Sequence, residues 1–276
     1  MVKIGISLDG KYSSPMPDVV QMLGDRGFGA ISPLWQRGIS LDDTVNAAMQ
    51  RGLTLQSLHG PLRGLPEMWD AAPSQIAEDH LAALDCCAAY GFPLLVVHSW
   101  TGVDYTFSRD GLYFGHFDRL VEQAINKGVR IAFENLEGEE YLDALMERYK
   151  GLDAVGLCWD SGHERCYTPS RDVLAQYGDR LLITHLNDNF GVTDPAGKLR
   201  GTDDLHLLIG DGNMNWASVV NRLKEATPQQ ILNFEFKIRP KGDRCVMDLY
   251  SKLPLQEFFQ KAYNSTQSIA KYYFSK

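Results

Sequence analysis

The chain lacks any apolar stretch approaching the roughly 20 residues needed to cross a bilayer, so no membrane-spanning helix is predicted. It has no low-complexity tract and no linker-like break to divide it. Cysteine is sparse. Cys86, Cys87, Cys158, Cys166 and Cys245 are odd in number and show no paired CxxC spacing, which excludes a knuckle-type zinc site and argues against a disulfide framework. Cys158 falls in a predicted strand, where a small apolar side chain suits a core. Basic excess is lacking too. The formal net charge of −8 gives no general attraction to phosphate backbones, so nucleic acid is not the expected partner. The opening segment MVKIGISLDG has one lysine and no small-residue cleavage site before a strand-like run, and a cytoplasmic location is the expectation.

What is present is a regular alternation. Strand-like and helix-like segments succeed one another eight times over 276 residues, a length somewhat above the roughly 250 of one (β/α)8 unit. The predicted fold is α/β, a single (β/α)8 TIM barrel with one domain over residues 1–276. The predicted strands are 3–8, 29–34, 53–58, 93–98, 130–134, 154–160, 181–186 and 230–236. They are mostly continuous apolar runs, as expected for parallel strands covered by helices. Helical patterns include PDVVQMLGDRG, LDDTVNAAMQRG, SQIAEDHLAALDCCAAYG and FDRLVEQAINKG, which stop at Gly27, Gly52, Gly91 and Gly128, where a left-handed cap is favoured. A last helix runs from about Pro254 to Tyr273. Two connections, 100–111 and 187–213, are longer than closure requires and follow strands, so both should lie over the C-terminal mouth. The first carries Trp100, Tyr105 and Phe107, either a wall beside a substrate or packing between loops.

Successive strands end on acid/base or metal-binding side chains: His59, His98, Glu134, Asp160 with His163, and His185. Two later segments add Asp204, His206 and Glu235. Side chains at one end of parallel strands converge, and that is where a barrel of this kind builds its active site. Glu134, Asp160, His185 and Glu235 make a hard, mostly oxygen donor set that suits Mn²⁺ or Mg²⁺ and accepts Zn²⁺ or Co²⁺. Without a cation, three carboxylates at strand ends would each need compensation. Asp204 and His206, two apart, point to one side if extended. His59 and His98 could instead only hydrogen-bond. His80 and His116 sit in helical patterns outside the barrel and receive no role. The rim is mostly acidic. The exceptions are Arg63 and the cluster Lys237, Arg239, Lys241 and Arg244, read either as solvated loops or as anchors for a phosphate or carboxylate.

The segments LHGP, VVHS, AFEN, CWDSGH, THLND, DLHLLIGDGN and FEF resemble the xylose isomerase-like TIM barrels, which include sugar isomerases and epimerases and the type IV apurinic endonucleases. In the epimerase branch the resemblance implies a divalent metal, often Mn²⁺, on Glu134, Asp160, His185 and Glu235. One glutamate would remove the proton beside a sugar carbonyl, the metal would stabilise the enediolate, and a glutamate would return the proton. His163 would polarise substrate oxygens, with Trp100, Asn135 and Lys237 as further substrate contacts. In the endonuclease branch all nine positions, including His59, His98, Asp204 and His206, would bind a zinc cluster. The chain departs from that branch at Gly162, where Cys or Ser is usual, at Asn189, where Ser or Ala is favoured, and in AFENLEG, which lacks the glycine-spaced continuation. The expected activity is therefore a metal-dependent isomerase or epimerase of a carbohydrate-like substrate. The alternatives are a zinc phosphodiesterase, a dehydroshikimate dehydratase-like lyase, and a barrel that only binds a sugar. A homo-oligomer is a further expectation.

Overall fold

A computed structural model describes residues 3–9, 12–238 and 248–275. The strands are β1 (Lys3–Leu8), β2 (Ala30–Pro33), β3 (Thr54–Leu55), β4 (Leu58–His59), β5 (Leu94–His98), β6 (Arg130–Glu134), β7 (Val155–Asp160), β8 (Leu181–His185) and β9 (Ile231–Phe234). The helices are α1 (Met16–Arg26), α2 (Asp42–Gln50), α3 (Gln75–Tyr90), α4 (Gly115–Lys127), α5 (Glu139–Arg148), α6 (Ser161–Tyr167), α7 (Val173–Tyr177), α8 (Trp216–Glu225), α9 (Asp248–Ser251) and α10 (Leu255–Phe274). Short 3₁₀ turns fill several connections. No described helix is long and apolar enough to cross a membrane.

Every ladder is parallel, in the orders β3-β2-β1-β9 and β4-β5-β6-β7-β8. Single parallel bridges, Leu34 with His59 and Leu186 with Phe234, join the two sheets into the barrel. The predicted third strand is therefore two short strands, one in each sheet. Between them the Gln56 amide oxygen fills the space a side chain at position 5 would need: a Cβ on Gly5 would stand 2.4 Å from it.

The strand period of two explains where the polar groups go. Leu94, Val96, Ala132, Cys158 and Ile183 form a separate apolar cluster inside β5–β8, while the large core lies between strands and helices. Stepping two residues on from Val96, Ala132, Cys158 and Ile183 along the same face reaches His98, Glu134, Asp160 and His185. One geometric rule thus places apolar filling below and ionisable groups above. The other half of the interior is polar: Asn233 donates to Ser7 Oγ (2.8 Å) and accepts from Ser32 Oγ (3.3 Å).

The helices cover the barrel through their apolar faces, such as Val19, Val20 and Leu23 of α1. That helix ends at Gly27 with φ 98°, and a Cβ there would lie 2.7 Å from the Tyr263 hydroxyl of α10. Gly27→Ala combines left-handed strain with this collision, so it should destabilise by more than about 1 kcal/mol, read as a lowered urea midpoint.

His80 of α3 is completely buried against the barrel, closer to the mouth than its helical pattern suggested. A Cβ on Gly60, next to His59, would meet its ring at 3.1 Å. Its Nδ1 lies 2.8 Å from the Ile76 carbonyl oxygen, which fits a neutral ring donating there. Burial lowers its pKa to about 4 against that bond, with His98 and His59 adding to the shift. Stability from the neutral ring is fully present above the unfolded value near 6.5 and is lost as pH falls to the folded one. Urea unfolding of His80→Leu should accordingly show a flatter decline across this window than the unaltered protein.

Candidate metal centre and active site

All nine side chains singled out in the sequence meet in the barrel mouth. Glu134 is the hub. Its Oε2 lies 3.1 Å from His59 Nε2 and 3.3 Å from His98 Nε2, and its Oε1 lies 3.1 Å from His185 Nδ1 and 3.3 Å from His163 Nδ1. His185 Nδ1 also stands 2.7 Å from Glu235 Oε2, so one imidazole nitrogen joins two glutamates. Asp160, which ends β7, is the N-cap of α6, with Oδ1 accepting the His163 N–H at 2.7 Å. His163 Nε2 in turn faces Asp204 Oδ1 at 3.5 Å, and His206 Nε2 faces the same oxygen at 2.8 Å. His206 is the only non-glycine with positive φ among the described residues (50°), a conformation kept where surrounding contacts over-determine it.

Burial works against the charge on Glu134 and Glu235, but His185 outweighs it, aided by His163 at Glu134 and His206 at Glu235; both carboxyls fall well below their usual range. Burial instead dominates at Asp160 and raises its pKa. Burial also lowers His98 to about 4, against its bond to Glu134. His163 rises well above the ordinary imidazole value because Asp160 and Asp204 overcome its burial. So many buried acids and imidazoles in contact call for shared positive charge.

The donor set fits a metal ion. Ligand atoms of Glu134, Asp160, His185 and Glu235 all lie within 4.8 Å of one another, as do those of His59, His98 and Glu134, and of Asp160, His163 and His206. Opposed donors at a metal–ligand distance near 2.1 Å are about 4.2 Å apart, so small adjustments bring each group to bonding range. The supporting bonds suit ligation. His59 Nδ1 is bonded to the Gly60 carbonyl oxygen (2.8 Å), which leaves Nε2 facing inward. Asn187 Nδ2 donates to both Asp160 oxygens, at 3.1 and 2.9 Å.

A cavity of about 650 Å³ opens before this cluster. Glu235, His163 and Lys237 line it with Arg63, Glu137 and Tyr167. Lys237 is where a substrate contact was expected, but two other expected contacts are elsewhere. Trp100 stacks on Tyr141 of α5 (4.1 Å, 5° between planes) and gives its N–H to Gly102 O, so it packs its loop onto that helix and is not among the residues lining the cavity. Asn135 is buried below, its amide spent on the Asp160 backbone: Nδ2 donates to Asp160 O (2.9 Å) and Oδ1 accepts from Asp160 N (2.7 Å). It positions Asp160 and does not face a substrate. Arg239, Lys241, Arg244 and Cys245 lie outside the described residues.

Four participants had not been singled out as site residues. Asn187 lies two residues past His185 on the same face, a signal the strand period carried. Tyr167 follows His163 by one helical turn, with ring centroids 5.6 Å apart. Cys158 brings its sulfur into a group with Glu134 and His185. Asp188 organises the long loop, accepting from Asn189 N (2.8 Å), Gly210 N (2.8 Å), Met214 N (3.2 Å) and Trp216 Nε1 (2.9 Å). A Cβ on Gly162 would stand 1.9 Å from Asn187 Oδ1, which gives the glycine there a local reason.

Parallel strands closed into a barrel, with carboxylates and imidazoles gathered at the C-terminal mouth, define a protein of the (β/α)8 class. Residues 19–249 match the family model of the xylose isomerase-like TIM barrels, and the chain belongs to that family. Uncharacterized protein y4fM of Sinorhizobium fredii is 35% identical over 166 residues, 55% of this chain and 50% of its own length. The chain thus spans about half the length of this curated relative. Among solved structures, the IolI protein with a binding zinc atom superposes with a TM-score of 0.73 at 18% identity, covering 99% of this chain and 100% of its own. The 3-keto-D-glucoside 4-epimerase YcjR from E. coli, in its apo form, gives 0.71 at 15%, covering 96% and 99%. At such identities the likeness is one of fold.

Replacing Asp188 by Ala would strand three backbone N–H groups and an indole N–H around the 188–214 loop. Unfolding by urea should show a loss of roughly 3–5 kcal/mol; a loss below about 1 kcal/mol would mean the loop is organised by something else.

Proposed function

We propose that this chain is a divalent-metal-dependent isomerase or epimerase acting on a small carbohydrate-like hydroxy-carbonyl compound. Glu134, Asp160, His185 and Glu235 would hold the cation, with Mn²⁺ the best match to the oxygen-rich donors and Mg²⁺, Co²⁺ or Zn²⁺ acceptable. When bound, the cation supplies Lewis-acid polarisation of substrate oxygens. The observation that carries the reading is the pair of glutamates around His185 Nδ1 at 3.1 and 2.7 Å, one enclosed and one open. The Glu134 side chain is 1% exposed among four imidazoles, whereas Glu235 is 16% exposed and lines the cavity.

Glu235 is accordingly the base that removes the proton beside the carbonyl, and its depressed pKa keeps it ionised at neutral pH. Glu134 is the fixed negative centre that orients His59, His98, His163 and His185. His163, on the cavity wall, donates a hydrogen bond to a substrate oxygen, and Glu235 returns its proton to carbon as the double bond moves, which restores both groups. Membership of a family named for xylose isomerase, and likeness to a fold neighbour named as an epimerase, support this class.

A zinc phosphodiesterase is the second reading, favoured by one observation: all nine candidate ligands share the mouth, and Glu134 and Asp160 each belong to more than one donor group. Its substrate would be an abasic-site duplex. Two measurements divide the readings. Incubated in deuterated water with a panel of ketoses and their phosphates, the protein should exchange the proton beside the carbonyl, and Glu235→Gln should lower that exchange by about 10²–10⁴-fold. Near-normal exchange in the variant would sink the mechanism. Elemental analysis should find about one divalent ion per chain, and two or three Zn²⁺ with abasic-site cleavage would install the second reading.

A further inference from the structure

The Asp204–His206 end of the cluster already contains a cation of the chain's own. Lys237 stands two residues past Glu235, and its N–H donates to the His206 carbonyl oxygen at 3.2 Å, which sets the two segments side by side. Its Nζ lies 2.7 Å from His206 Nε2, 3.7 Å from Glu235 Oε1 and 4.0 Å from Asp204 Oδ2. With the His206 Nδ1–H directed to the Glu235 carbonyl oxygen (3.2 Å), Nε2 is an acceptor and the ammonium donates to it. The ammonium thus sits between the carboxylates of Asp204 and Glu235, with Asp204 Oδ2 at 4.0 Å and Glu235 Oε1 at 3.7 Å.

Asp160, His163 and His206 otherwise have the spacing of a metal site. An ion there would draw on the same imidazole and lie within a few ångströms of Nζ, where two positive charges repel strongly in a partly enclosed space. Movement of the lysine would be required first. The side chain is only 25% exposed and is flanked by Asp204 and Glu235, which oppose that movement.

We propose that the Lys237 ammonium is the resident cation at this end of the mouth and excludes a metal ion from the Asp160–His163–His206 donors, confining metal to the Glu134 side. The inference rests on the metal-binding part of the proposed function and goes beyond it by giving the lysine a role in setting how many ions the chain takes. A mouth so arranged presents two kinds of positive charge to a substrate: an ion with open coordination positions, and a hydrogen-bonding ammonium beside Glu235.

The test is equilibrium dialysis of the full chain against Zn²⁺, with bound metal counted per chain by elemental analysis and folding followed by circular dichroism. Lys237→Met and Lys237→Gln remove the charge, and Lys237→Arg retains it. Whichever neutral variant keeps the native spectrum should bind one more Zn²⁺ per chain than the unaltered protein, and Lys237→Arg should bind the unaltered number. Equal stoichiometry in the unaltered protein and a folded neutral variant overturns the proposal. So does an additional ion in Lys237→Arg, or an unaltered chain that already fills every group. Because the count is made without substrate, metal binding with no turnover of sugars would defeat the isomerase reading alone. An unaltered chain that binds no metal would defeat both.

Discussion

Glu134 sits where four imidazoles meet, and its burial sets the conditions for the whole mouth of the barrel. A lone carboxylate at that depth would be costly enough to shed its charge. Instead His59, His98, His163 and His185 approach it from β4, β5, α6 and β8, so its charge is stabilised only when those elements have closed around it. The rings are aimed in turn by backbone carbonyls: Gly60 O for His59 and Asn135 O for His163. Strand register, imidazole orientation and carboxylate charge are therefore one problem with one solution.

A second layer fixes the remaining acid. Asp160 receives the N–H of His163 and the amide of Asn187, while Asn135 grips its backbone from the neighbouring strand. These bonds use neutral donors, so they orient Asp160 without cancelling its charge. Asp188, next to Asn187, performs the same service for the loop that delivers Asp204 and His206. Two adjacent residues thus face opposite tasks, one toward the site and one toward its support.

The barrel and six of its nine converging side chains were legible in the sequence because strand-end placement is a one-dimensional signal: a buried run followed by His, Glu or Asp reads the same before and after folding, whereas His163, Asp204 and His206 lie in the connections beyond those ends. The expected strands differ from the observed ones mainly at the third, where Gln56 packs across the interior toward Gly5, a long-range fit that a local apolar pattern does not record. The same limit applies to Trp100, whose choice of Tyr141 as a partner depends on where helix α5 lies. Asn135 was expected to contact substrate, but its amide is spent on the Asp160 backbone of the neighbouring strand, a pairing across strands that a local pattern does not record; Asn187 was within reach of the strand period but carries no charge to draw notice. Lys237 was expected as a substrate contact, but its pairing with His206 and Asp204 depends on where the segment from position 204 onward lies.

The barrel is closed at two seams by single bridges, Leu34 with His59 and Leu186 with Phe234. The second seam is reinforced where Thr184 Oγ1 donates to Asn233 O and accepts from Asn233 N, and Glu235 N donates to Leu186 O. His185 and Glu235 therefore lie on opposite sides of a joint, 2.7 Å apart. Anything that binds between them belongs to the closed barrel alone and must add its binding free energy to closure. Occupancy of the mouth and resistance to unfolding are thermodynamically linked here, so a ligand chosen for chemistry would also act as a rivet between the two half-shells.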